Sequence, residues 1–462
     1  MEWVNGQAPL RGLCQLKRYH LTVPAINSGG CMNYWTWFLG RLKRQLWWQA
    51  LAYGALGVLT AFAALGAETF FPWQIPWDID RDAVSSLLTV ISSSMLAVTT
   101  FSLGAMTAAF GAVTSNVTPR ATLLLMEDRV THNVLSSFIG AFIFSIVSTI
   151  VLHTGSYGER GRAVLFLITI LVIALVVVQL LRWINHLISL GRVGATIERV
   201  EKAAAAAIEE RLSTPYLGAH PWLPDAPHPN CATLIAANSI GYVQFVDIPR
   251  LSDIAEEHQL QIYIPLNAGA FVYEDVALAF VEGAVSPDIE DEIRSQFVMA
   301  QQRSFEQDPR FGLIVMAEIG SRALSSATND AGTALDVIGR LTRLLTLWST
   351  GRAEEPVIYP RLHLRPLVDG DLFDDAFMII GRDGAHLVEI QVRLQKALAA
   401  LQRVGGESFR ASAARHAELA LARAQASQMI PSDLQYIAEE MKRVRQIAAV
   451  QDASSQSCAR IG

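Results

Sequence analysis

Long uncharged runs dominate the first part of this chain, whereas charged residues recur regularly in the rest. A helix needs about 20 residues to cross the apolar core of a bilayer. Within residues 32–190, four apolar runs predict spans at about 46–67, 85–115, 134–152 and 163–181. From residue 192 onward the spacing of charges is typical of a chain that folds in water. The pattern therefore predicts a four-helix membrane domain followed by a water-soluble domain.

The residues that flank these runs predict how the spans are oriented. Arginine and lysine accumulate on the cytoplasmic side of membrane proteins, and tryptophan lies at the headgroup level. Arg41, Lys43 and Arg44 precede the first run beside Trp47-Trp48, and basic residues also follow the second and fourth runs. The loop at 68–82 is aromatic, acidic and poor in cations, as expected outside the cytoplasm. We therefore predict that both termini are cytoplasmic.

The second run carries no charge between Asp82 and Arg120 and is unusually rich in small and hydroxyl residues. Its small residues recur every three or four positions, so on a helix they share one face, which we call the small stripe. The small stripe consists of Ser93, Ala97, Thr100, Gly104, Thr107, Gly111 and Ser115. The other side carries Leu96, Phe101, Leu103, Met106 and Phe110. Such a stripe indicates either close helix–helix packing or a path lined by hydroxyl groups, and an oligomer can combine the two.

No charged residue lies inside any of the four predicted spans. Transporters coupled to protons or ions typically need carboxylates or histidines within the membrane. An intramembrane serine protease would need a histidine or lysine base at the depth of its serine. The absence of such groups therefore favours a passive path over a pump or a protease.

The water-soluble part divides into four predicted segments. Residues 191–230 form a helical stalk and linker, 231–285 a small β-rich subdomain, 286–450 a helical cytoplasmic domain, and 451–462 a disordered tail. The β-rich part has alternating stretches on both sides of Asn267-Ala268-Gly269, which predicts a hairpin. Helices are predicted at about 288–303, 309–326, 330–348, 372–404, 407–428 and 432–450. Residues 1–31 are predicted to be a disordered tail or a gene-model extension.

The predicted fold is thus an all-α membrane domain of four transmembrane helices followed by an α+β cytoplasmic domain. That second domain is predicted to be mostly helical, with a small β-sandwich-like hairpin region. The sequence has 51% hydrophobic and 17% charged residues and a mean hydropathy of +0.29, which suits such a combination.

Composition and motifs exclude several other classes of function. The net charge of −6 gives no indication of a nucleic-acid partner. The four cysteines are scattered without the spacing of a disulfide framework or a zinc site. Phosphate-binding, dinucleotide-binding and zinc-protease motifs do not occur. We therefore predict no metal, no cofactor and no catalytic residue, and an enzyme is the least supported class.

One dense group of polar residues remains in the soluble part. It consists of Arg303, Asp308, Arg310, Arg322, Asn329 and Asp330. Asp308-Pro309 is typical of a helix N-cap followed by proline at the first helical position. Asn329-Asp330 could end one helix and cap the next. The group is therefore interpreted either as structural caps and ion pairs or as a cytoplasmic ligand or ion site.

These residues carry a resemblance to a known family. The matching segments are Ser93–Gly111 with Thr118-Pro119-Arg120 and Ser137–Phe142, and Arg303–Leu313 with Arg322–Ser325, Asn329-Asp330 and Thr333-Ala334. They resemble a family of predicted bacterial inner-membrane proteins catalogued as a domain of unknown function, over about residues 36–450. Proline follows both Ala-Leu-Ser and Asn-Asp in that family, where this chain has Ser326 and Ala331. The resemblance implies an inner-membrane location and a topology but no activity.

Two functional hypotheses follow. The first is a homo-oligomeric channel or passive conduit for a small ion or solute, lined by the second span and regulated by the cytoplasmic domain. The second is a membrane-anchored scaffold or sensor that transports nothing, in which the small stripe serves helix packing. Both have the lipid bilayer and further copies of the chain as partners.

Overall fold

The computed structural model describes residues 46–70, 80–126, 128–154, 157–223, 226, 229, 232–351 and 356–443. The predictions made for residues 1–31 and 451–462 lie outside these ranges.

The apolar runs form long helices. These are α1 (Leu46–Phe70), α2 (Arg81–Asn116), α4 (Arg129–His153) and α5 (Glu159–Ser189). A 3₁₀ turn (Pro119–Ala121) and the short helix α3 (Thr122–Met126) lie between α2 and α4. Three of the described helices, α2, α4 and α5, are long and apolar enough to cross a membrane, and Leu51–Ala63 of α1 is a further apolar helical stretch.

Helix α4 lies among the other three apolar helices and contacts each of them. Small residues bring its backbone close to α1, because a Cβ atom added at Gly140 would lie 3.0 Å from the carbonyl oxygen of Tyr53. On its other side α4 packs against a face of α2 formed by residues such as Leu88, Ile91 and Met95. This close packing of small and large side chains is how helices associate in lipid, where water supplies no driving force.

The remainder of the described chain, residues 193–443, is the C-terminal region and is mostly helical. Its helices are α6 (Val193–Ser213), α7 (Ile248–Glu257), α8 (Pro287–Ser295), α9 (Pro309–Ala323), α10 (Ala331–Ser349), α11 (Asp369–Asp383), α12 (Val388–Leu401) and α13 (Glu407–Ala426). Residues 431–443 are also helical. Its strands are β1 (Ala219–Pro221), β2 (Thr233–Ala236), β3 (Gly241–Val246), β4 (Gln261–Ile264), β5 (Phe271–Val272), β6 (Ala277–Glu282), β7 (Phe297–Ala300) and β8 (Tyr359–Leu364).

The strands form two sheets, and the predicted hairpin is wrong. One sheet has the order β1-β8-β4-β6-β2, with β8 parallel to both β1 and β4, and the other is antiparallel with the order β5-β3-β7. The turn at Asn267-Ala268-Gly269 is real, since Gly269 has a φ of +91°. However, it carries the chain from one sheet to the other, because β4 pairs with β6 and β8 while β5 pairs with β3.

Two predicted helices also differ from the structure. The helix expected at 288–303 ends at Ser295, and Phe297–Ala300 form β7 against β3. The helix expected at 372–404 is broken between α11 and α12 at Gly384, whose carbonyl accepts a hydrogen bond from Gln391 Nε2 at 3.0 Å. Ile390 fills the space where a Cβ of residue 384 would stand, so the break is packed into the core.

The core of the C-terminal region reaches back to α2. Val113 near the end of α2, Val117 after it, Ala121 and Leu125 are 0–2% exposed and belong to the apolar core that α6 and α9–α13 build. A second core fills the space between the sheets and α7. At about 1.5 Å per residue, the 36 residues of α2 extend about 54 Å, well beyond a bilayer core of about 30 Å. Helix α2 therefore belongs to both parts of the molecule.

Candidate functional site

The small stripe of α2 lies on the surface of the chain. All seven of its residues are exposed. A Cβ atom added at Gly104 or Gly111 would meet no atom within 4 Å. At 100° per residue, the small stripe is diametrically opposite the face of Leu88, Ile91 and Met95 that packs on α4. The chain by itself therefore leaves the small stripe without a protein neighbour along the described helices.

The large side chains expected on the other side of α2 do not all pack. Met106 is buried and Phe110 half-buried, whereas Leu96, Phe101 and Leu103 are 52–70% exposed. The helix thus has three kinds of surface: a packed face, exposed large apolar flanks and the small stripe between those flanks.

The hydroxyl groups of the small stripe are already bonded within α2. Thr100 donates to the carbonyl of Leu96 and Thr107 to that of Leu103, both at 2.9 Å. Ser93 and Ser115 donate to carbonyls of the preceding turn in the same way. Because each hydroxyl proton is donated to a carbonyl of the same helix, the hydroxyl oxygens can only accept hydrogen bonds from groups outside the helix. The small stripe therefore presents oxygen acceptors and small apolar groups but no unsatisfied donors.

The end of α2 is tied to α9 by polar contacts as well as by the shared core. Thr118 donates to Glu318 Oε2 at 3.1 Å, and the Arg120 guanidinium forms an ion pair with the same carboxylate. Glu318 lies on α9, and its hydrogen bond raises the pKa of Arg120 further above its usual range. Two residues of the Thr118-Pro119-Arg120 segment thus join the end of α2 to the C-terminal region.

The six polar residues singled out from the sequence form two groups at opposite ends of α9. Arg303, Asp308 and Arg310 lie at its start, whereas Arg322, Asn329 and Asp330 lie at or beyond its end. The 15 residues of α9 separate the groups by about 22 Å. The fold therefore does not bring all six residues together in a single ligand site.

The first group is an ion-pair network around the N-cap of α9. Asp308 is 1% exposed and accepts hydrogen bonds from the backbone amides of Arg310 and Phe311. Arg303 donates to the same carboxylate through Nε and Nη2, each at 2.7 Å. Burial raises the pKa of Asp308, and the Arg303 guanidinium opposes that rise. Arg310 donates to Asp375 at 2.6 Å and to Asp371 at 2.8 Å, so α9 is joined to α11.

The second group is a turn and a cap. Asp330 accepts hydrogen bonds from the backbone amide and the hydroxyl of Thr333, which lower its pKa and start α10. Asn329 has a φ of +46°, a conformation that asparagine tolerates better than most residues. Arg322 lines a separate cavity beside Arg120 and Glu318.

Comparison with known proteins places the chain in one family. The model of the family described as "Predicted membrane protein (DUF2254)" matches residues 43–400. The chain belongs to the DUF2254 family. The match includes α1, α2, α4 and α5, the small stripe and both groups of polar residues on α9.

Individual relatives match a smaller part of this DUF2254 protein. The uncharacterized proteins Rv1290c of Mycobacterium tuberculosis and Mb1321c of Mycobacterium bovis are each 30% identical to it over 125 residues. The matched part is 26% of this chain and 24% of each relative, so the chain covers about a quarter of their length. No solved structure matches the chain.

The fold adds residues to the network that the sequence did not single out. Gly269 lies against the Arg303–Asp308 pair, and a Cβ there would overlap both side chains. Asn267 in the same turn accepts from Arg211 of α6 and donates to the carbonyl of Arg365, both at 3.0 Å. The i, i+4 spacing of Asp371 and Asp375 was a sequence signal that they share a helix face. Among the described residues, no group of three or more His, Cys, Asp and Glu side chains is arranged to hold a metal ion.

Proposed function

We propose that this DUF2254 protein forms a homo-oligomeric channel or passive conduit for a small ion or solute in the bacterial inner membrane. In this proposal α1, α2, α4 and α5 span the bilayer, α2 lines the path, and both termini are cytoplasmic. The C-terminal region is the cytoplasmic regulatory domain. The observation that carries the proposal is the exposure of the complete small stripe on the side of α2 that faces away from α4.

The length of the small stripe suits a path across a membrane. From Ser93 to Ser115 it rises about 33 Å at 1.5 Å per residue, close to the thickness of a bilayer core. Hydroxyl groups and glycines offer lipid chains little apolar surface to contact, whereas the large apolar side chains on both flanks can pack against lipid or a neighbouring subunit. Copies related by a symmetry axis would bring their small stripes together around that axis.

The chemistry of the small stripe suits passive movement. It has no charged side chain that would bind a permeant ion tightly, and its hydroxyl oxygens can replace part of a hydration shell. The shared core and the contacts of Glu318 with Thr118 and Arg120 give α9 a direct physical connection to α2. A change in the C-terminal region would reach the lining helix through that connection.

A second candidate is a membrane-anchored scaffold or sensor without transport. One observation favours it: the hydroxyl groups of Ser93, Thr100, Thr107 and Ser115 are bonded within their own helix, so the small stripe could pack against another helix without polar partners. Both functions require an oligomer, and they differ in whether the contact encloses a path.

Conductance separates the two functions. The full-length protein is reconstituted into planar bilayers across a salt gradient, together with a variant that carries Thr100→Leu and Thr107→Leu. We expect unitary currents from the wild type and their loss in the double variant, because leucine would fill the path with apolar side chains. Oligomer size in detergent is expected to be unchanged.

Thr60→Leu in α1 is the matched control, since the Thr60 hydroxyl also donates to its own helix, at 2.7 Å to the Leu56 carbonyl. Currents should be unaffected by this change. Equal currents in the wild type and the double variant would contradict the lining role of α2. Silent wild-type protein whose oligomer dissociates in the double variant would support the scaffold or sensor.

A further inference from the structure

A cavity of about 620 Å³ lies beside the ion-pair network at the start of α9. Its walls are the 265–271 turn, the 365–368 segment before α11, and side chains of Tyr242, Arg303 and Arg310. Small-molecule sites in proteins have volumes of about 300–1,000 Å³ and combine apolar walls with a few placed polar groups. The volume of this cavity lies within that range, and its lining combines apolar and polar residues.

One arginine of the cavity wall has no carboxylate partner among the described residues, and this unpaired charge favours an anion. Arg303, Arg310 and Arg365 line the cavity, and Asp371 is the acidic residue that lines it among the described residues. Asp308 pairs with Arg303, and both Asp371 and Asp375 pair with Arg310. Because these carboxylates fix the guanidinium groups in advance, little side-chain freedom would be lost when an anion binds.

Arg365 is the guanidinium best able to take a ligand. It is exposed, and among the described residues its side chain has no hydrogen-bond or ion-pair partner. Its backbone is nevertheless fixed, since its amide donates to Ile264 and its carbonyl accepts from Asn267. A free guanidinium on an anchored backbone is suited to bidentate binding of a phosphate or carboxylate group.

The cavity also has an aromatic wall. Phe271 is 46% exposed, and its ring is flanked edge-on by Tyr242, with centroids 4.9 Å apart, and by Tyr273, with centroids 5.2 Å apart. Both edge contacts restrict the orientation of the Phe271 ring. A planar ligand group can then stack on that ring, as bases stack on exposed aromatic side chains in nucleic-acid-binding proteins.

We propose that this cavity binds a free nucleotide, with the phosphate on Arg365 and Arg303 and the base against Phe271. The site is connected to the apolar helices in two ways. Asn267 in its wall is bonded to Arg211 of α6, and α6 shares its core with the end of α2. The proposal concerns binding alone and does not depend on whether the protein conducts ions.

Isothermal titration of the full-length protein in detergent tests the proposal, with AMP, ADP, GMP and GDP as probes. At least one of them should bind saturably at one site per chain. Arg365→Gln should weaken binding about tenfold, because a charge-assisted hydrogen bond is lost. Phe271→Leu should weaken it severalfold through the lost stacking surface. Inorganic phosphate and adenosine, each carrying half of the ligand, should bind much more weakly than the nucleotide.

Arg410→Gln is the matched control, since Arg410 is another exposed arginine whose side chain has no partner among the described residues. It should leave the affinity unchanged, and both exposed arginine variants should retain the wild-type melting temperature. The proposal is overturned if no probe binds, or if binding is indifferent to Arg365→Gln and Phe271→Leu. Equal affinity for inorganic phosphate and nucleotide would also overturn it, because the aromatic wall would then contribute nothing.

Discussion

Small side chains at helical spacing are buried within the chain in α4, whereas in α2 the same kind of pattern faces outward. Ala141, Ser145 and Ser148 of α4 are 7%, 0% and 0% exposed. Every member of the small stripe on α2 is exposed. The two helices are both apolar and both of membrane-spanning length, so composition does not explain the difference.

The difference comes from the number of neighbours that each helix has. Helix α4 lies among α1, α2 and α5, so its small residues are needed for close approach. Helix α2 uses large residues such as Leu88 and Met95 to pack on α4, and the small stripe lies on the opposite side. A small-residue pattern therefore marks a close contact within the chain in α4, whereas in α2 the described residues supply no such contact.

The largest predicted effect tests that difference with one glycine from each helix. We expect Gly140→Leu to destabilise the fold by about 3 kcal/mol, because the backbone of α1 leaves no room for the new side chain. Gly104→Leu is the matched change on the small stripe and should preserve monomer stability, since that position is open and leucine is the better helix former by about 1 kcal/mol. Denaturation of both variants in mixed micelles measures the difference.

Equal loss of stability in the two glycine variants would contradict the comparison of α2 with α4. If Gly104→Leu leaves the monomer intact but changes the oligomer, the open position becomes an interface position, as the proposed assembly requires. The result therefore also tests whether the small stripe is the contact between copies.

The second prediction concerns how α4 is held at its first turn. Asp128 accepts a hydrogen bond from Thr131 at 2.8 Å, forms an ion pair with His186 of α5 and lies 3.9 Å from Arg199 of α6. Burial would raise the pKa of Asp128, but the bonds from His186 and Thr131 outweigh it and lower the pKa to about 2. A carboxyl group with a lowered pKa stabilises the fold above its unfolded pKa of about 3.9 and loses that contribution as the pH falls toward 2.

Asp128→Asn should therefore lower the free energy of unfolding by about 2 kcal/mol at neutral pH, and the difference should vanish near pH 2. Unfolding titrations at several pH values measure this dependence. Asp253→Asn is the control, because Asp253 is exposed and its ion pair with Arg250 is long, at 3.8 Å. A pH-independent effect of Asp128→Asn would show that the loss is one of packing and not of charge.

Local signals in the sequence predicted what depends on neighbouring residues. Hydropathy located α2, α4 and α5, and the Asp308-Pro309 pair marks the first residues of α9. The turn at Gly269 was also correctly placed. Its strand pairing was wrong because β4 pairs with β8, about a hundred residues further along the chain. No local pattern reports such a partner.

Strand β8 illustrates a second limit. Pro360 lies within it, and proline argues against a strand that has neighbours on both sides. The structure accommodates Pro360 at an irregularity, where β1 pairs first with Tyr359 and then with His363. The ion-pair network could not be predicted for a similar reason, because the carboxylate partners of Arg310 lie on α11, more than sixty residues away. The sequence therefore identified Arg303, Asp308 and Arg310, but neither the partners of Arg310 on α11 nor the assembled network.

The smallest predicted effect concerns the link between α2 and the C-terminal region. Glu318→Gln removes the ion pair with Arg120 and weakens the bond from Thr118, which is 4% exposed. Because Arg120 is largely exposed, we expect a loss of only about 1 kcal/mol. Hydrogen exchange should become faster for amides of residues 113–125, with no change from Ser93 to Gly111 of the small stripe.

Glu198→Gln is the control, since Glu198 forms an ion pair with Lys202 on an exposed face of α6. It should leave exchange at residues 113–125 unaffected. If Glu318→Gln also has no effect there, the apolar contacts of Val113, Val117, Ala121 and Leu125 hold the junction alone. The proposed regulation would then require a movement of the shared core, because breaking one ion pair would leave α2 in place.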